Sequence, residues 1–272
     1  MNNLSFKLKA SVTAGLAALT LGFTSIGQAE PVMNLITLNT QDAAGYAQWA
    51  KTSTPIIAKA NGAMAMGLCS PMAGAEVMGD HFLWSFWDSQ ASAWAADNTN
   101  PTVVKEIAKN TVARTIREWD NWRIVRAAAT TSDKGYFWNI IVKTDNLGSY
   151  LGALDNLQIA LKDHGHDLTL QVFVADTGRR AGQVMVSLSS PSASALGAAL
   201  DDRTQDWFSA VLKDLEGSRE YQHGFHNDVL TRFKPPTLSL QFRLNSLLIV
   251  ARYTSHSGVD SGRLALLVTA FR

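Results

Sequence analysis

The chain has 272 residues, a formal net charge of +1 and one cysteine, Cys69. Its apolar fraction of 46% and charged fraction of 17% exclude a disordered or fibrous chain, and a lone cysteine excludes an internal disulfide. Lys7 and Lys9 at the start and Arg243, Arg252, Arg263 and Arg272, offset by Asp260, at the end leave the body at about −4, which lacks the basic footprint that nucleic acid requires.

Residues 1–29 read as a signal peptide. Lys7 and Lys9 precede an apolar run, Ser11 to Ile26, and Gly27-Gln28-Ala29 supplies small residues before a cut. The run is too short and too interrupted for a membrane-spanning helix. The expectation is an exported protein, periplasmic or extracellular, with no membrane association once the signal is removed.

Val32 to Asn39 reads as a strand and Ala43 to Ala60 as a helix that Pro55 should kink or restart. Asn61-Gly62 ends it. Ala63 to Cys69 is a weaker strand, and Ser70 to Gly79 a loop. In the strand His81 to Trp87, Phe82, Trp84 and Phe86 share one face while Leu83, Ser85 and Trp87 share the other. A short helix follows from Gln90, a longer one from Val103 to Ile116, and a strand from Trp119 to Ala127 closes the unit.

The same order then recurs. Phe137 to Thr144 is a strand, Tyr150 to Lys162 a helix, and Leu168 to Ala175 a strand. Gly182 to Ala199 echoes Asp80 to Asn98, with Val184, Val186 and Leu188 standing for Phe82, Trp84 and Phe86. Trp207 to Leu215 is a helix and Tyr221 to Phe233 the last strand. A period near a hundred residues is a duplicated domain, not a solenoid. The expected division is therefore 30–130 for the first repeat and 134–234 for the second. After Pro235-Pro236 the tail 235–272, rich in Leu, Ser and Arg, matches neither copy. It reads as an added hairpin, a docking arm, or a stretch translated out of frame.

Two β-α-β-β-α-β units give an α+β protein with two four-stranded antiparallel sheets. Their open apolar faces must be covered, most simply by each other, which makes an intrachain α/β barrel. The stretch FWDSQASAWAAD resembles the strand-to-helix corner of the dimeric α/β-barrel, ferredoxin-like superfamily of the antibiotic-biosynthesis-monooxygenase type. That resemblance implies either cofactor-independent oxygenase chemistry on aromatic compounds or haem degradation. The haem-degrading branch carries an asparagine on the first strand, matched by Asn34, and a tryptophan on the following helix, approached by Trp94. Its histidine has no counterpart, because no His lies between His81 and His164, so the axial iron ligand is missing.

Candidate ligand-binding residues are Asn34 and Asn139, read as equivalent interior positions, with Trp84, Trp87 and Trp94 of the tryptophan-rich first copy, of which Trp87 and Trp94 are singled out as the pocket lining. Ser85 and Ser187 form a second matched pair. His164 and His166, and His223 and His226, are too few for a metal centre, and no phosphate loop, dinucleotide fingerprint or triad occurs. No metal and no cofactor are therefore expected, and no catalytic residue stands out. The leading expectation is an exported binder of a hydrophobic or aromatic small molecule, a monomer or homodimer, with oxygenase-like chemistry as its enzymatic form. The alternatives are a non-enzymatic stress-related or assembly module with a filled barrel and, further off, a metal-binding protein.

Overall fold

A computed structural model describes residues 29–128 and 135–233. The signal and tail readings lie outside the described residues. In the first copy β1 (Val32–Asn39), α1 (Ala43–Asn61), β2 (Ala65–Ala73), β3 (Asp80–Trp87), α2 (Gln90–Trp94), α3 (Pro101–Ala108) and β4 (Thr115–Arg126) follow in order. In the second they are β5 (Tyr136–Lys143), α4 (Leu147–Asp163), β6 (Thr169–Ala175), β7 (Val184–Ser190), α5 (Ala193–Asp201), α6 (Asp206–Leu215) and β8 (Glu220–Phe233). The eight strands close into one antiparallel barrel in the order β1-β3-β2-β8-β5-β7-β6-β4. Each copy contributes four adjacent strands, and the seams are β2 with β8 and β4 with β6. The barrel is complete within one chain.

Matching local devices build the two copies. Asp42 and Asn146 cap α1 and α4 by accepting from the backbone of Gly45 and Ser149. Just before them, the Thr40 and Thr144 hydroxyls donate to the carbonyls of Ala113 and Ser218. Ser89 and Ser192 cap α2 and α5. These pairs fix which residues are equivalent between the copies.

Three corrections to the expected elements follow from packing. Helix α1 runs unbroken through Pro55, because its buried face of Tyr46, Ala50, Ile57 and Ala58 outweighs the lost backbone bond. Strand β2 extends past Pro71 to Ala73, where it pairs with β8 only, the one-sided setting in which a strand tolerates proline. Helix α3 ends at Ala108 instead of Ile116, and Val104 and Ile107 on it are 51% and 41% exposed.

Apolar side chains fill three regions. Leu38, Tyr46, Leu68, Leu83, Trp87 and Val103 pack between the first sheet and its helices. Leu154, Leu161, Val172, Val186, Phe208 and Leu215 do the same in the second copy. The third region is the barrel interior, with Met33, Trp84, Trp122, Ile141, Phe173 and Phe225. On β3 the expected alternation holds, with Phe82, Trp84 and Phe86 inside and Leu83 and Trp87 under the helices.

On β7 the expectation fails. Val184, Val186 and Leu188 belong to the core beneath the helices, while Met185, Ser187 and Ser189 face the interior. The copies are offset by one residue from the apparent echo, which flips the face of every side chain. The interior counterparts of Trp84 and Phe86 are Ser187 and Ser189. Cross-strand pairing agrees: Trp84 opposes Leu35, and Ser187 opposes Asn139, the counterpart of Leu35.

Candidate binding cavity

Among the described residues the barrel is hollow. A cavity of about 310 Å³ lies between the two sheets, within the range of small-molecule sites. Its first-copy wall is apolar, built by Phe82, Trp84 and Phe86 of β3 with Met33 and Leu35 of β1. Trp84 and Phe86 lie tilted against each other with ring centroids 5.1 Å apart.

The second-copy wall is polar, and the ladder arranges it in rungs. Gln171 of β6, Ser187 of β7 and Asn139 of β5 are direct cross-strand neighbours, with Phe225 of β8 next in line. One rung further along come Thr169, Ser189, Phe137 and Asn227. Asn139 and Ser187 are 5% and 3% exposed, yet among the described residues neither side chain, nor that of Gln171, bonds to another residue. The buried Asn227 Oδ1 is also without a partner there. Buried polar groups are almost always hydrogen-bonded, so this wall holds capacity that a guest or water must meet.

Cys69, at the cavity edge, is buried, and burial pushes its thiol up to about 12 against the opposing hydrogen bond with Trp84. Beyond the Phe82–Phe225 pair, whose ring centroids are 5.1 Å apart, a second void of about 20 Å³ is lined by Thr37, Asp120 and His223. The barrel end beside it is charged. Glu76 accepts from Arg179 and Arg180, Arg179 also lies 2.5 Å from Glu118, and Asp80 pairs with Arg117. Asp120 Oδ1 has no partner among the described residues. Burial and then the Glu118 charge raise its carboxyl to about 6. Gly178, at φ +83°, leaves room for that carboxylate, because a β-carbon there would fall on Oδ1.

Of the five residues singled out from sequence, Trp84 and Asn139 reach the cavity, on opposite walls. Asn34 faces outward. Its amide donates to Asn121 Oδ1 (2.9 Å), and its carbonyl accepts from Trp119 Nε1 (2.6 Å). Its true counterpart is Trp138, so Asn34 and Asn139 are not equivalent. Trp87 is buried beneath the helices and donates to Ser85 (3.2 Å). Trp94 is 69% exposed on α2 and bonds Gln90 (3.1 Å). Ser85 and Ser187 lie on opposite faces for the same one-residue reason. Gln171, Ser189 and Asn227 were missed, and Ser187 was named only as the match of Ser85; the strict alternation of VMVSLSS in β7 was the signal that could have placed Ser187 and Ser189 on the inner face.

The histidines do not converge. His164 stacks on Trp207 (4.0 Å between ring centres), His166 bonds Asp202 (2.8 Å), and His226 stacks on Trp138 outside the barrel. Among the described residues no group of three or more His, Cys, Asp or Glu side chains is placed to hold a metal ion.

No protein-family model matches the chain, and no curated protein matches its sequence. Solved structures do resemble it. A monooxygenase candidate from Lactobacillus acidophilus superposes with a TM-score of 0.52 at 9% identity, covering 75% of this chain and 96% of that one. An anthrone oxidase-like protein gives a TM-score of 0.48 at 12% identity, over 74% and 92% of the two chains. A chlorite dismutase from Candidatus Nitrospira defluvii gives 0.47 at 8%, over 78% and 95%. The first likeness shows the fold, a ferredoxin-like dimeric α/β barrel, here closed by two halves of one chain.

Proposed function

We propose that this chain binds a small hydrophobic or aromatic molecule inside its barrel. The observation that carries this reading is the cavity of about 310 Å³ with Phe82, Trp84 and Phe86 on one wall, since aromatic faces supply large apolar contact to a flat guest. A filled barrel, the alternative of an assembly module, would have no such space. The enzymatic form of the reading is oxygen-dependent conversion of the bound aromatic without a cofactor, and oxygen uptake on ligand addition measures it. Export rests on the sequence of residues 1–29 and is tested by locating the protein in cell fractions.

Binding is tested with N-phenyl-1-naphthylamine, a neutral aromatic probe that brightens in apolar surroundings. Saturable enhancement, lost when Ser187→Phe fills the cavity, is the expected result. An unchanged signal in a Ser187→Phe protein that melts like the parent would place binding elsewhere.

A further inference from the structure

Asn139, Ser187 and Gln171 form one cross-strand rung on a cavity wall. Asn139 and Ser187 are more than nine-tenths buried, and none of the three side chains is hydrogen-bonded to another described residue. The opposite wall holds Trp84 and Phe86. An empty rung of this kind in a structural core would cost stability with no return, since each unmet buried polar group carries a desolvation penalty. Its chemistry also defines a partner. Along one edge a carboxamide presents one of its two N–H donors beside its carbonyl acceptor, so the group that meets both at once carries an acceptor and a donor side by side. The rung itself holds two carboxamides and a hydroxyl and no formal charge; the charged lining residues, Asp167 and Arg232, lie off it, and Arg232 is 5.9 Å from the centre of the Trp84 ring.

Resting on the binding reading above, we infer that the guest is a neutral, planar ring compound with a lactam-like edge, a ring carbonyl beside an N–H, held by the Asn139–Ser187–Gln171 rung while its face lies on the Trp84 wall. The division of labour follows the duplication. The first copy supplies the apolar platform, and the second supplies edge recognition through the positions where it carries Ser187 and Asn139 in place of Trp84 and Leu35. A plain hydrocarbon leaves the rung unpaired. A single hydroxyl satisfies only part of it.

Calorimetric titration of the whole chain with three bicyclic compounds of matched size tests this: 2-quinolinone, 2-naphthol and naphthalene. The expected order is 2-quinolinone tightest, by about tenfold or more over naphthalene, with 2-naphthol between. Asn139→Leu should reduce 2-quinolinone to the naphthalene level while leaving naphthalene binding intact, which shows that the variant is folded. Ser187→Ala should lose part of the preference. Equal binding of 2-naphthol and 2-quinolinone, or a preference that survives Asn139→Leu and Gln171→Leu, would overturn the edge assignment alone. Failure of all three compounds to bind would overturn the cavity reading with it.

Discussion

The indole of Trp84 lies across the bare backbone of Gly67, its direct partner on β2, and a β-carbon on Gly67 would overlap both that ring and the Thr231 carbonyl. The aromatic wall is therefore set by a glycine on the neighbouring strand. Gly67→Ala must push the ring into the cavity or part the strands, at about 1–3 kcal/mol. Denaturant titration of Gly67→Ala, Trp84→Leu and the double variant should show a coupling of about 1 kcal/mol; additive effects would mean that the ring does not rest there.

Asp120 makes a pH prediction whose sign follows from its surroundings. Burial and Glu118 raise it from 3.8 to about 6. Between those values the folded protein keeps a proton that the unfolded chain releases, so this contribution to stability grows as pH falls through about 6 and is lost as pH rises. The groups facing it are Glu118, Arg179 and Arg180. His81 and His226, held below the ordinary histidine range mainly by burial, act in the opposite direction, so the difference between wild type and Asp120→Asn is the quantity to read. Asp120→Asn should be more stable at pH 7 by roughly 1–2 kcal/mol, with the gap closing towards pH 4. A gap that is constant with pH would contradict the raised carboxyl.

Cys69 should be chemically quiet despite lining the cavity edge. With its thiol pushed up to about 12 by burial, almost no thiolate exists at pH 8. Alkylation by iodoacetamide should run more than about 100-fold slower than for a free cysteine, and return to the ordinary rate in guanidinium. Fast native-state labelling would show that the interior opens far more readily than its packing implies.

The two asparagines should separate cleanly. Asn34→Ala removes the bonds to Asn121 and Trp119 and should lower stability by about 1 kcal/mol without altering probe binding. Asn139→Ala removes no described protein hydrogen bond, so it should change ligand affinity while leaving the melting temperature within a few degrees. The reverse pattern would return Asn34 to the site.

Much of the fold was legible because its signals are local. Cap residues, glycine stops and the alternation of β3 each speak for themselves, and the repeated β-α-β-β-α-β order followed from them. The candidate site was legible in half. Trp84 was named with the other tryptophans of the first copy, but the two singled out as pocket lining, Trp87 and Trp94, lie beneath the helices and on the surface. Ser187 was paired with Ser85 on the strength of the sequence echo, which runs one residue out of step with the strand ladder.

By itself the sequence determined that two copies of one unit exist, that each makes a sheet with one face covered by helices, and that the first copy is richer in tryptophan. Only the tertiary structure decided which face of each strand turns inward. Side chains alternate with a period of two, so a one-residue difference in alignment exchanges inside for outside, and the sequence alone offers no ruler that fine. Closure of the barrel supplies it: the helices claim the apolar face of β7, and the serines are left to face Trp84 across the cavity.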